Sequence, residues 1–178
     1  MTNGLDDILA DLSAEYNRLE AMLAPLGTAD WERPSAAAGW TVADVVAHLA
    51  LSEEAVVRSL ASASGRLPTL GRAGGTTGPD LEANMAAEVS AAGLDGPAAF
   101  ARWRAAHRAS LPALAGADPR RHFPWAAAPL KPRTLATTRL AEHWAHALDL
   151  ADPLGADYPD TAGLRHVAWL GHGTLPYA

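Results

Sequence analysis

The chain has 178 residues, with 14 Lys and Arg against 20 Asp and Glu, a net charge of −6, 49% apolar and 19% charged residues. That length and balance suit one domain, residues 1–178, with a full hydrophobic core. The chain has no basic run to meet nucleic acid, no apolar run near the ~20 residues that cross a bilayer, no basic-then-apolar leader, and no cysteine for a disulfide or thiolate metal site. The expectation is a cytoplasmic protein whose partner is a small molecule.

Leu5, Ile8, Leu9, Leu12, Tyr16, Leu19, Leu23 and Leu26 recur at spacings of three and four, which predicts an amphipathic helix over residues 5–26. Pro25 and Gly27 end it, and residues 31–39 read as a loop. Thr41 then offers an N-cap with Asp44 three residues on, a variant of the capping box. Val42, Val45, Val46, Leu49, Val56, Val57 and Leu60 mark the second helix, to about Ser62. Two polar residues interrupt its inner side. His48 lies on the flank of the stripe. Glu53 lies on the stripe itself, where an unpaired carboxylate is costly, so it needs a partner.

Residues 65–78 carry five Gly and no periodicity, a loop without the Gly-Lys-Ser/Thr ending of a phosphate loop. Residues 80–92 read as a short helix. Gly93 and Gly96 flank a turn, and Pro97 opens a third long helix that runs to about Leu114 and carries Arg102, Arg104 and Arg108. Residues 118–131 form a Pro-rich connection. The fourth helix follows Pro132 and is broken over residues 152–158 by Pro153 and Gly155; a last helical segment covers residues 161–170. Nothing reads as a strand. The pattern predicts an all-α fold, an antiparallel four-helix bundle with a short extra C-terminal helix.

The fourth helix contains Glu142-His143-Trp144-Ala145-His146-Ala147-Leu148-Asp149. Glu142 and His146, four apart, share one helix face. With His48 from the second helix they make two imidazoles and one carboxylate, a set that suits a catalytic zinc with an open position, and equally iron or nickel. A Glu–His pair at this spacing is also a common solvated surface pair, and the order is not the His-Glu-x-x-His of zinc peptidases.

The stretch Gly39-Trp40-Thr41-Val42-Ala43-Asp44-Val45-Val46-Ala47-His48-Leu49 resembles the Gly-Trp-Thr/Ser-x-x-Asp-x-x-x-His signature of the DinB-like metal-binding bundles. More narrowly, it is similar to the N-terminal domain of mycothiol-dependent maleylpyruvate isomerases. Glu142 to Asp149 is similar to the second signature of that family, Glu-x-x-x-His followed by a small residue, Leu and Asp. Arg102-Trp103-Arg104 and residues 164–168 find counterparts in an uncharacterised actinobacterial branch. The resemblance implies a DinB-like fold, His48, Glu142 and His146 as ligands of a divalent metal, zinc foremost with nickel or iron open, and mycothiol as cosubstrate. Proteins of that branch usually continue into a second small domain, sterol-carrier-like or related, whereas the sequence given stops at Ala178.

Four further roles are expected. Asp149, three residues after His146, can accept a hydrogen bond from its second ring nitrogen. Glu53 is a candidate general base beside His48. Arg139, one turn before Glu142, is expected to line the cavity. Arg102 and Arg104 are candidates for holding an acidic cosubstrate or substrate. His143 and His166 are expected to be structural. Three functions stay open: a metal-dependent thiol transferase or isomerase, which leads; a thiol-independent metal-dependent hydrolase or cyclase; and a non-catalytic metal- or ligand-binding bundle, perhaps as a homodimer.

Overall fold

A computed structural model describes residues 4–62, 79–125 and 128–174, so the loop expected over residues 65–78 lies outside the described residues. The elements are α1 (Gly4–Leu23), α2 (Thr28–Trp31), α3 (Val42–Ala61), α4 (Pro79–Ala92), α5 (Gly96–Ala115), α6 (Pro132–Leu154) and α7 (Leu164–Thr174). No strand occurs among the described residues, only isolated bridges between Pro34 and Thr41 and between Phe123 and Leu130. None of the helices searched is long and apolar enough to cross a membrane.

The periodic residues make the core. Leu5, Ile8, Leu12, Tyr16, Leu19 and Leu23 of α1 are buried, as are Val42, Val45, Val46, Leu49 and Val56 of α3, with Trp103 and Leu114 of α5 and Leu135, Leu140 and Leu150 of α6. Burying each such side chain stabilises the fold by roughly 1.5–3 kcal/mol, the main return for ordering the chain. The capping box forms at the start of α3: Thr41 Oγ1 accepts from Asp44 N at 3.2 Å, and Asp44 Oδ2 accepts from Thr41 N at 2.9 Å. At the start of α5, Asp95 caps through Ala98 N at 2.8 Å. Gly96 packs so closely under the Trp31 ring that a Cβ there would lie inside the indole, which is why a residue without a side chain opens this helix.

The bundle is formed by α1, α3, α5 and α6, with α1 beside α6 and α5, and α3 beside α5 and α6. The antiparallel expectation holds for some neighbours and fails for others. The starts of α1 and α6 meet where Gly4 approaches Arg133, and the chain just beyond the end of α6 reaches the second half of α1, where Tyr158 donates to Glu15. The starts of α3 and α5 share one cleft through Asp44 and Gly96, and their ends share another through Leu60 and Gly116. These two pairs therefore run parallel. Helices adjacent in sequence and parallel in space need a long crossover, and the segment from α3 to α5, with α4 in it, provides one.

The last helix, α7, packs on α6. Arg165 ties it to Asp7 at 2.9 Å and Asp11 at 2.7 Å, and His166 lies 3.2 Å from Asp11. His166 is thus structural, as expected. The expected break at residues 152–158 comes later than Pro153: α6 runs through it to Leu154 and closes at Gly155 by hydrogen bonds from Gly155 N to Asp152 O and from Ala156 N to Ala151 O.

A candidate metal centre

Proline 153 shapes the site. A proline has no N–H, so it leaves the carbonyl four residues earlier without its helical donor. That carbonyl belongs to Asp149, and it accepts instead from Ala36 N at 2.9 Å. Residues 32–41 are fastened to α6 at this point, and Arg33 adds a second tie, to the Pro153 carbonyl at 3.2 Å. Gly39 then turns the chain with φ +81°, a conformation that a side chain disfavours, and delivers Trp40 over the helices. The Trp40 ring stands 5.2 Å from the His48 ring and stacks on the His146 ring at 6.4 Å, centroid to centroid. The Gly-Trp pair at the head of the first signature has this physical reason.

Beneath Trp40, His48 from α3 meets Glu142 and His146 from α6. One donor atom from each lies within 4.8 Å of the others. His48 Nε2 is 3.5 Å and His146 Nε2 3.7 Å from Glu142 Oε2. Donors held ~2.1 Å from one ion at tetrahedral angles stand ~3.4 Å apart, so the spacing fits a metal. His48 Nε2 is buried and makes no hydrogen bond with the described residues, an orphan that an ion would satisfy. Burial also holds the His48 pKa below its ordinary value, which keeps the ring neutral and its lone pair available. Burial works to raise the Glu142 carboxyl, but the adjoining His48 ring and the Arg139 charge outweigh it and bring the pKa down to about 2. His146 Nδ1 lies 2.9 Å from Asp149 Oδ2. With Nδ1 as donor, Nε2 is turned as an acceptor toward Glu142 and His48, the role expected of Asp149.

The trio opens onto a cavity of about 760 Å³ lined also by Ala37, Ala38, Trp40, Ala83, Met85 and Ala86. The contribution of α4 was not foreseen, because alanines and a methionine on a short helix carry no signal of a site.

Other expected residues fall elsewhere. Glu53 does not line this cavity. It is fully buried, with neither oxygen hydrogen-bonded among the described residues, facing the bundle interior, and burial raises its pKa against the pull of Arg139. The expectation of a base beside His48 is therefore corrected: the flank position of His48 turns it to the cavity, and the stripe position of Glu53 turns it to the core. Arg139 is buried too, its guanidinium over the Trp125 ring at 5.1 Å and its Nη2 4.0 Å from Glu142 Oε1, so it stands behind Glu142 and not in the cavity wall. Arg102 is engaged by Glu54 through two hydrogen bonds of 2.6 and 2.9 Å, and Arg104 pairs with Glu20 at 2.8 Å. Neither lines the cavity. His143, next to Glu142, is fully buried; Trp103 Nε1 donates to its Nε2 at 3.0 Å, and its Nδ1 donates to Arg139 O at 2.8 Å. Both ring nitrogens are used, and burial drives its pKa well below the ordinary value, so it is a neutral core residue.

Comparison with known proteins agrees with this architecture. Over 96% of its length the chain superposes on the crystal structure of a mutant of the mycothiol-dependent maleylpyruvate isomerase, with a TM-score of 0.68, 16% identity and 70% of that chain covered. A second crystal structure of mycothiol-dependent maleylpyruvate isomerase gives a TM-score of 0.62 and 17% identity, covering 84% of this chain and 63% of that one. Two uncharacterised proteins of Mycobacterium tuberculosis, from strains CDC 1551 / Oshkosh and ATCC 25618 / H37Rv, are each 34% identical over 172 residues, 96% of this chain. The chain spans 65% of the length of these relatives. Residues 12–151 match the mycothiol maleylpyruvate isomerase N-terminal domain, and the chain belongs to that family.

Proposed function

We propose that this chain is a metal-dependent enzyme that activates a low-molecular-weight thiol, mycothiol, for transfer to, or isomerisation of, a small electrophilic metabolite. The observation that carries this reading is the convergence of His48, Glu142 and His146 at the wall of a 760 Å³ cavity. Three protein donors beside open space leave a coordination position for a ligand, the arrangement of catalytic sites and not of closed structural ones. A divalent ion held there, zinc foremost with nickel or iron as alternatives, supplies Lewis acidity that favours the thiolate over the thiol.

The chain's own residues do the rest. His48 is kept neutral by burial, and Asp149 holds His146 in the acceptor tautomer. Trp40, Met85 and the alanines of the wall keep bulk water from the sulfur and offer an apolar surface to the electrophile. The chain has no cysteine, so the nucleophilic sulfur comes from the cosubstrate. In a transfer the new carbon–sulfur bond persists. In an isomerisation the sulfur adds to a double bond, the bond rotates, and the sulfur leaves.

The test is metal analysis of the wild type beside His48→Ala and Glu142→Ala, joined to an assay of mycothiol consumption against activated alkenes and epoxides. Stoichiometric metal in the wild type, its loss in both variants and metal-dependent thiol consumption are expected. Metal-dependent turnover without thiol would replace this reading by a hydrolase or cyclase. Metal loss with activity unchanged would remove the catalytic metal.

A further inference from the structure

Glu142 is the weak point of the trio. Its side chain is 40% exposed and has three rotatable bonds, so nothing intrinsic decides whether one oxygen or both face the cavity. Arg139 sits one turn earlier on α6, where i and i+3 side chains meet. The two Glu142 oxygens are divided: Oε2 faces the imidazoles of His48 and His146 at 3.5 and 3.7 Å, and Oε1 faces Arg139 Nη2 at 4.0 Å. Arg139 itself is fixed from behind. Its side chain is 4% exposed and its guanidinium carbon lies over the Trp125 ring, 5.1 Å from the centroid. Its Nε and Nη1 are buried without a hydrogen-bond partner among the described residues.

A guanidinium in such a place is costly unless a carboxylate compensates it. Glu142 does so on the cavity side at 4.0 Å, and the fully buried Glu53 attracts it at longer range from the core side. An arginine that served only the core would not divide the oxygens of a residue facing a cavity. An arginine that served only substrate would not be buried.

We propose that Arg139 is the positioning residue of this centre: backed by Glu53 and Trp125, it engages Glu142 Oε1, so that Glu142 offers the metal Oε2 alone and a coordination position stays open for the thiol. The inference rests on the metal reading above. It gives Glu53 a role that its distance from the cavity denied it, because Glu53 steadies the cation that steadies the ligand. Arginine, with its planar fork, can hold one oxygen while presenting its other face to a second carboxylate; lysine, a point charge, cannot do both.

The test uses the full chain loaded with zinc or cobalt(II). Affinity is read by competition with a chromophoric chelator, and coordination by the visible spectrum of the cobalt form, which weakens as coordination number rises. Arg139→Gln is expected to weaken metal binding by ~10–100-fold, the usual consequence of removing the partner of a ligand. It is also expected to shift the cobalt spectrum toward higher coordination as Glu142 becomes bidentate. Glu53→Gln moves both readouts the same way by a smaller factor, and neither change tracks the melting temperature of the metal-free protein. Should Arg139→Gln not fold, Arg139→Lys carries the test, with partial loss of affinity and the same spectral shift expected. Wild-type affinity with an unchanged cobalt spectrum, in whichever of these two variants folds, overturns the proposal. A wild type that takes up no metal overturns the metal reading itself.

Discussion

Helices α3 and α6 exchange two carboxylate–imidazole pairs, His48 with Glu142 at 3.5 Å and Glu53 with His143 at 3.7 Å. Residue types and spacing are nearly the same, yet the two pairs have opposite characters. In the first, the imidazole has an orphan nitrogen and the carboxylate opens onto a cavity. In the second, both imidazole nitrogens are spent, on Trp103 and on the Arg139 carbonyl, and the carboxylate is sealed among Tyr16, Ser110 and Arg139. Donor chemistry alone therefore does not suit a pair to a metal. A metal site also needs a free lone pair and room for a ligand, and only the first pair offers both.

The comparison can be broken at either pair. His48→Ala or Glu142→Ala is expected to reduce metal affinity by well over ~100-fold, beyond the effect of losing a mere partner of a ligand, while the metal-free protein keeps its fold; metal analysis and far-UV dichroism check this. His143→Ala is expected to do the reverse. It opens a void in the core and orphans the Trp103 N–H, destabilising the metal-free protein by about 3 kcal/mol in urea unfolding while folded protein still takes up metal. If His143→Ala emptied the site instead, the division between the pairs would be wrong.

Smaller changes sharpen the contrast. Asp149→Asn is expected to weaken metal binding by ~10-fold, since an amide holds the His146 tautomer less firmly than a carboxylate. His107, also buried, has its pKa lowered from 6.5 to about 4 by burial, against the pull of Glu20. The unfolded chain then binds a proton near pH 6.5 that the folded chain refuses until about pH 4, so stability falls as pH falls through that window. His107→Gln is expected to flatten that loss by up to ~1.4 kcal/mol per pH unit, read from urea unfolding at pH 6.5 and 4.5. Least of all, Arg102→Ala breaks a pair with Glu54 at the rim of the bundle and is expected to cost at most ~1 kcal/mol with metal binding unchanged.

Local physics made much of this protein legible in its residues. Apolar spacing of three and four marks the four long helices, because a helix that buries one face must repeat that way. Thr41 and Asp44 announce the start of α3, because the first N–H groups of any helix need acceptors. The face shared by Glu142 and His146, with His48 on a flank, places three donors that the structure brings together. Helix direction was beyond such signals. A periodic stripe states that a face is buried and not what covers it, so the parallel pairs α1/α6 and α3/α5 follow only from the crossover through α4. The same limit applied to Glu53, Arg139, Arg102 and Arg104. Whether a charged side chain meets a cavity, a core or a surface partner depends on what the other helices bring to it, and those residues are distant in sequence. Only the packed bundle sets Glu53 behind Arg139 and leaves Glu142 open, since burial, and the free energy of each charge with it, belongs to the assembled helices and not to any one of them.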